Sequence, residues 1–254
     1  MSRFFVEKEN ITGKEILITD AADVKHISRV LRHRIGDIME ISDGERFEYD
    51  VRIASFEDDL VRTEILSKRG FTREPFVRVT LYQGIPKQGK MEVIVQKTVE
   101  VGIAKIVPVF SDRTVVIDKG GFLKKVERWQ RVADEAVKQC RRGVIPKVEE
   151  PVKFNELVGL IGDNDINLFC YEDEKGTTIK DVLRKVRPDV LKAQKEDRPY
   201  KVGLIVGPEG GFSQEESEYI TGEGAVSVSL GKTILRAETA PISGLAMIMY
   251  ELEL

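Results

Sequence analysis

The chain has 254 residues, of which 41% are hydrophobic and 33% charged, with a formal net charge of −3. That balance suits one large globular domain or two modest ones and excludes a nucleic-acid binder that works by overall basicity. Two cysteines (Cys140, Cys170) and two histidines (His26, His33) leave little material for a zinc site or a disulfide framework, and no run of about 18 apolar residues marks a membrane span.

The opening residues, Met1 to Glu7, contain no secretory apolar segment, so a cytoplasmic address is expected. Residues 1–72 read as a β-rich domain. Short apolar or alternating runs fall at Glu15–Ile18, Asp37–Ile41, Phe47–Ile53 and Leu60–Ile65, and Asp43-Gly44 between two of them is a hairpin signal. This spacing predicts a small barrel, with one helix over Val24–Leu31 ahead of its main strands.

The stretch Lys68–Pro75, with Gly70 and several charges, marks a boundary, and a second domain is expected over 73–254. There, predicted strands at Val77–Tyr82, Lys105–Phe110, Asn167–Tyr171, Val202–Val206 and Ala225–Leu230 alternate with helical patterns. Met91, Ile94, Val95, Thr98 and Val101 form one such pattern; Leu123, Val126, Trp129, Ala133, Val137 and Cys140 form another. Alternation of this kind argues for an α/β domain built on a mostly parallel sheet. Arg184–Tyr200 is dense in charge and reads as an exposed excursion.

Charge is segregated locally. Lys25, Arg29, Arg32 and Arg34 lie together with both histidines and no acid between them. Seven basic residues fall between Lys124 and Arg142 against three acids. Such patches can follow a phosphate backbone on an acidic protein, although solvated helix faces have the same composition.

Two segments carry the clearest chemistry. In Leu204-Ile205-Val206-Gly207-Pro208-Glu209-Gly210-Gly211-Phe212-Ser213 a buried strand runs into a glycine loop, and Ser213-Gln214-Glu215-Glu216 then caps a helix. Glycine permits close backbone approach to a ligand, and ligands of open α/β sheets sit beyond the carboxyl ends of strands. In Val228–Pro241 a second strand ends at Gly231. A polar loop then carries Arg236, Glu238 and Thr239, and Pro241 opens an apolar helix running to about Glu251. A helix apolar on most sides calls for burial, in the core or against a partner.

Other patterns are weaker. Gly84-Ile85-Pro86-Lys87-Gln88-Gly89-Lys90-Met91 has phosphate-loop spacing, but a thioether stands where a magnesium-binding hydroxyl belongs. Gly231-Lys232-Thr233 has the right tail for that motif, but Val226 replaces its first glycine. There is no G-x-S-x-G elbow, and the histidines are placed in the N-terminal segment, which disfavours a serine hydrolase.

Taken together, several blocks resemble the RsmE-type methyltransferases of the SPOUT superfamily. They are Arg3-Phe4-Phe5-Val6, His26-Ile27-Ser28-Arg29-Val30-Leu31-Arg32, Lys90-Met91-Glu92, Val95-Gln96-Lys97, Glu100-Val101-Gly102 and Ser111-Asp112-Arg113-Thr114-Val115-Val116. Pro108, Arg128-Trp129, Gln139-Cys140, Pro146, Gly207–Phe212 and Leu235–Ala240 fall into step, so the likeness spans essentially the whole chain.

The resemblance implies a PUA-like β-barrel that binds RNA, then a SPOUT-type α/β domain with a C-terminal trefoil knot, assembled as a homodimer. It implies S-adenosyl-L-methionine as cofactor, no metal, and methylation of a uridine N3 in 16S ribosomal RNA within the small ribosomal subunit. The implied cofactor loops supply Ile205, Val206, Gly207, Pro208, Glu209, Gly210 and Gly211; then Ser229, Leu230 and Gly231; then Ile234, Leu235, Thr239 and Ala240. Arg236 is the expected stabiliser of a uracil anion, and Glu238 its orienter or the proton acceptor; alternatively the two merely brace the fold. The expected RNA contacts are Arg3, Arg29, Arg32 and Arg34 on the barrel, and Lys87, Lys90, Arg113 and Arg142 on the catalytic domain.

The chain departs from the family pattern at Val101, where leucine is usual, at Arg141, where glycine is common, and in the longer charged stretch at 187–198. Two competing readings remain at this stage: a non-catalytic RNA-binding or ribosome-assembly factor, and a related enzyme acting on transfer RNA at a ribose oxygen.

Overall fold

The computed structural model describes residues 3–87, 89–115 and 121–253. Gln88 and Val116, members of two sequence motifs above, lie outside the described residues. The chain divides into two compact units, Met1–Glu74 with Val137–Ile145, and Pro75–Ala136 with Pro146–Leu254. The first break therefore falls at Glu74/Pro75, and nine residues from mid-chain group with the N-terminal unit, which the sequence reading of 1–72 and 73–254 did not foresee.

The first unit is a six-stranded mixed sheet. Its strands are β1 (Arg3–Phe5), β2 (Ile11–Thr12), β3 (Glu15–Ile18), β4 (Ile38–Ser42), β5 (Phe47–Glu57) and β6 (Leu60–Gly70), in the spatial order β1-β4-β5-β6-β3-β2. Among the described residues no strand pairing joins β1 to β2. On β5, Val51 and Ile53 are buried while Arg52 is exposed, the two-residue period of a half-buried strand. They meet Phe4, Ile16, Met39 and Ile41 in one apolar cluster. The turn between β4 and β5 forms as its sequence predicts. Asp43 Oδ1 accepts from the N–H groups of Glu45, Arg46 and Phe47 at 2.8–3.0 Å, and Gly44 takes φ +71°.

The predicted helix at Val24–Leu31 begins earlier. Asp20 caps α1 (Ala21–Lys25) by accepting from Asp23 N–H at 2.8 Å, and the chain continues as a one-turn π-helix over His26–Val30. Arg32 then ends it at φ +55°. Arg29, Arg32 and Arg34 are all exposed.

Arg3 and Arg142 correct the sequence reading. Arg3 is only 1% exposed; its Nη2 lies 2.8 Å from Glu48 and 3.3 Å from Glu40, and its Nη1 donates to Arg141 O at 3.0 Å. Arg142 is 4% exposed, belongs to the N-terminal unit, and pairs with Glu74 at 2.8 Å. Glu74 also accepts from the N–H groups of Gly143 and Val144. Both guanidiniums hold the 141–144 segment to this unit, because buried charges persist only when paired. Neither is a surface contact for RNA. Arg141 takes φ +58°, a left-handed conformation that glycine adopts without penalty.

The second unit contains a seven-stranded, wholly parallel sheet: β7 (Arg78–Gly84), β8 (Lys105–Phe110), β9 (Lys147–Val148), β10 (Val152–Lys153), β11 (Ile166–Cys170), β12 (Lys201–Val206) and β13 (Val226–Val228). The order is β10-β8-β7-β12-β11-β13, with β9 also paired to β8. Val202 to Val206 are all buried, as expected of a strand covered on both faces. The helices are α2 (Lys90–Val101), α3 (Phe122–Cys140, whose residues from Val137 group with the first unit), α4 (Phe154–Ile161), α5 (Ile179–Lys195), α6 (Gln214–Gly222) and α7 (Thr239–Leu252).

The charged stretch read as an excursion is mostly α5. Thr178 caps it through Asp181 N–H, and Val182, Leu183, Val190 and Ala193 are buried while α5 packs on α7. Its apolar positions are sparse but lie on one face, so charge density concealed the helix. In α7, Gly244, Leu245, Ile248 and Met249 are buried, while Tyr250 is 71% exposed. The helix is thus two-faced within one chain, rather than buried on all sides.

Candidate cofactor site at the carboxyl ends of the parallel strands

The chain passes from β7 to β8 on one side and returns with β12 on the other, so the sheet changes direction between β7 and β12. Ligands of open α/β sheets bind at such a point. Val206, the last residue of β12, is in register with Gln83, and each is followed by a glycine, Gly207 and Gly84. Gln83 Nε2 donates to Gly207 O at 3.3 Å and to Gly84 O at 3.0 Å.

The loop after β12 is tightly folded. Gly211 N–H donates to Pro208 O at 2.9 Å, and Gly211 takes φ +67°. An added Cβ on Gly207 would meet Gly211 Cα at 3.0 Å, so the glycines let two backbone segments touch. Ser213 and Glu216 form the predicted reciprocal cap of α6 at 3.2 and 2.8 Å. Glu216 is 4% exposed and also accepts from Asp112 N–H at 2.9 Å, while Arg113 Nη1 donates to Gly210 O at 2.9 Å. The 111–113 segment thus braces the glycine loop.

The loop after β13 lies alongside. Ser229 N–H donates to Thr177 O and Ser229 O accepts from Ile179 N–H, so this strand end is held by the segment leading into α5. Ser229 Oγ donates to Gly231 O at 2.9 Å. Further on, Arg236 O accepts from the N–H groups of Thr239 and Ala240, which starts α7. Arg236 and Thr239 are exposed, Leu235 and Ala240 half-buried, and Ile234 is 83% exposed.

Lys90 joins the two loops. Its Nζ lies 2.9 Å from Glu209 Oε1 and 2.9 Å from Glu238 Oε2. The same Glu209 carboxylate accepts from Lys87 N–H at 3.1 and 3.2 Å. The Lys90 ammonium, ion-paired to Glu238 at 2.9 Å, holds the Glu238 carboxyl below its ordinary range, helped by its own backbone N–H and by Arg236. Burial opposes ionisation of Glu209 most strongly, yet Lys90 and the backbone N–H groups outweigh it and Glu209 too is lowered. Lys90 is raised in turn, by Glu238 and then Glu209.

These positions revise parts of the sequence reading. Lys90, expected on the RNA-facing side, is paired with two carboxylates. Ile205 and Val206 are buried; Ile205 packs with Tyr82, Phe169 and Phe212, so it supports the loop from below. The phosphate-like segment 84–91 presents Lys87 N–H to a carboxylate, which would repel a phosphate. Lys87 and Arg113 are exposed. Sequence reasoning missed Gln83, Thr177 and Glu172 as supports. Glu172 sits against the Gly211 α-carbon, where an added Cβ would lie 2.4 Å from its Oε1. Only the Ser213/Glu216 cap was visible in advance, because its partners are three residues apart.

The residues fit an extended ligand with a planar base and charged ends. The Gly231 α-carbon faces open space, with nothing within 4 Å of a built Cβ. Among the described residues, the N–H groups of Ile234 and Leu235 have no partner, next to the exposed Ile234 side chain. An apolar surface beside free backbone donors suits an aromatic heterocycle, and nearby carboxylates suit a cation. Among the described residues no cluster of His, Cys, Asp and Glu is arranged to hold a metal, and no helix is long and apolar enough to cross a membrane.

The class follows from comparison with known families: residues 72–249 match the RNA methyltransferase domain. Within that class, the ribosomal RNA small subunit methyltransferase E of Bacillus subtilis is 30% identical, covering 100% of this chain and 98% of its own length. That of Synechocystis is also 30% identical, over 99% of this chain and 78% of its own. The crystal structure of the Neisseria gonorrhoeae methyltransferase E bound to S-adenosyl methionine superposes with a TM-score of 0.84 at 27% identity, covering 98% of this chain and 97% of that one. The chain belongs to the ribosomal RNA small subunit methyltransferase E family.

Proposed function

We propose that the protein is an S-adenosylmethionine-dependent methyltransferase that modifies N3 of a uridine in 16S ribosomal RNA, within or on the way to the small subunit. The observation that carries this reading is the meeting of two glycine-bearing loops at Lys90, with Arg236 exposed beside them, in a chain of this family.

The cofactor would supply an electrophilic methyl group on a sulfonium. Gly231, whose α-carbon faces open space, would admit it closely, and the free N–H groups of Ile234 and Leu235 would orient its base. Uracil N3 carries a proton and is a poor nucleophile until that proton leaves. Arg236, a permanent cation, would stabilise the resulting anion through a carbonyl oxygen. Glu238 is held ionised by Lys90, which makes it a weak base; its place beside Arg236 suits orientation of that guanidinium. Holding N3 in line with the methyl group would account for much of the rate.

For RNA binding we propose Arg29, Arg32 and Arg34 on the first unit, and Lys87 and Arg113 on the second, all exposed. By the same family reading the first unit serves as a PUA-like RNA-binding barrel, the C-terminal segment is knotted, and the exposed side of α7 joins a second copy in a homodimer.

The test is transfer of labelled methyl from S-adenosylmethionine to unmethylated small subunits, followed by nucleoside analysis. Label in 3-methyluridine is the expected result. Label in another nucleoside would move the substrate atom. Cofactor binding without transfer to subunits, ribosomal RNA or transfer RNA would turn the reading toward a binding factor.

A further inference from the structure

We propose that Lys90 is a positioning residue for the cofactor site: its ammonium clamps Glu209, after β12, to Glu238, at the start of α7, and so fixes the spacing of the two loops. The inference rests on the cofactor reading above and adds a role for a residue that sequence patterning assigns to RNA.

The geometry is specific. Lys90 is the first residue of α2, entered through Gly89 at φ +79°, so its side chain projects at a fixed point of the helix. Both ion-pair distances are 2.9 Å, and all three side chains are partly shielded, at 31%, 24% and 22% exposure for Lys90, Glu209 and Glu238. Glu209 is held a second time by Lys87 N–H, at the positive end of α2. The start of α2 therefore touches both loops. Without the ammonium, two carboxylates that share it would face each other and repel. The loops would separate, and the donors at Ile234 and Leu235 would lose their register with Gly207 and Gly210. Arg236, two residues before Glu238, would shift with it.

This role and a phosphate contact make opposite demands on one residue. A positioning clamp sets affinity for S-adenosylmethionine in the absence of RNA. A phosphate contact sets RNA affinity and its salt dependence.

The experiment is calorimetric titration of S-adenosylmethionine into the full-length protein, the Lys90→Met variant and the Lys90→Arg variant, without RNA. Lys90→Met is expected to weaken cofactor binding about fivefold or more, and Lys90→Arg to recover much of the loss. KM for the cofactor should rise more than kcat falls, with RNA affinity and its salt slope unchanged. A Glu238→Gln variant should weaken binding as well, and adding Lys90→Met to it should cost less than the sum. Unchanged cofactor affinity in a folded Lys90→Met protein would overturn the proposal, as would a loss confined to RNA binding. Should Lys90→Met fail to fold, wild-type affinity in Glu238→Gln would overturn it instead. Failure of the unaltered protein to bind the cofactor would defeat the functional reading itself, which keeps the two outcomes separate.

Discussion

Gly84 and Pro208 stand so close that a Cβ on Gly84 would lie 2.4 Å from Pro208 Cδ and 2.5 Å from its backbone nitrogen. The contact joins the ends of β7 and β12, the two strands that flank the change of direction in the sheet. A side chain of even one carbon at residue 84 must move backbone, since the ring and its nitrogen cannot rotate away. Gly84→Ala should therefore destabilise the protein by about 2 kcal/mol or more and weaken binding of S-adenosylmethionine. Urea unfolding read with a cofactor titration checks both, and wild-type stability would show that the loops yield freely.

Arg236 and Glu238 are predicted to separate in their effects. Arg236→Ala should abolish methyl transfer while leaving cofactor affinity largely intact, and near-normal turnover would remove it from the reacting centre. Glu238 has its carboxyl held low by Lys90, so it titrates below the ordinary carboxylate range. The folded-state value is depressed, so the contribution of the ionised group is complete above the ordinary range and fades as pH falls through the lowered one. Across neutral pH its charge does not change. Glu238→Gln should thus lower the rate evenly between about pH 6 and 9 and leave the shape of the profile alone. Loss of an ascending limb in that window would instead identify Glu238 as the base.

Arg3 should act on stability. Its removal leaves Glu48, which is 1% exposed, without its 2.8 Å partner, although Arg69 remains at 3.3 Å. A fully uncompensated buried charge costs about 3–5 kcal/mol, and the remaining Arg69 sets that as the upper bound here. Arg3→Met should show that order of loss in chemical denaturation, with unchanged RNA affinity per folded molecule. A variant of normal stability that binds RNA poorly would restore the contact role that burial contradicts.

Replacing Arg29, Arg32 and Arg34 together by alanine should flatten the salt dependence of RNA binding. Each single-strand phosphate contact contributes about 0.7 to the slope of log K against log salt, so three lost contacts would reduce it by about 2. Filter binding over a salt series measures this. An unaltered slope would mean that these exposed cations are only solvated surface.

Much of the architecture was legible in local sequence. The strand at Lys105–Phe110 has the bounds its apolar run predicts, and the Ser213/Glu216 cap and the Asp43 turn form as read. In each case the partners are a few residues apart, and chain geometry alone brings them together. Composition was a poorer guide to α5, where charge on one face masked the buried positions of the other.

The site divides along the same line. The glycine loops were legible in sequence because strand endings leave a local pattern, and Arg236 and Glu238 stand as candidates from the loop that follows one of them. That Arg3 and Arg142 are buried, and that Lys90 faces Glu209 and Glu238, was decided by tertiary structure. Sequence records which residues are charged. Only the fold brings Lys90 beside acids more than a hundred positions away, and an ion's role depends on those neighbours and on whether water still reaches it.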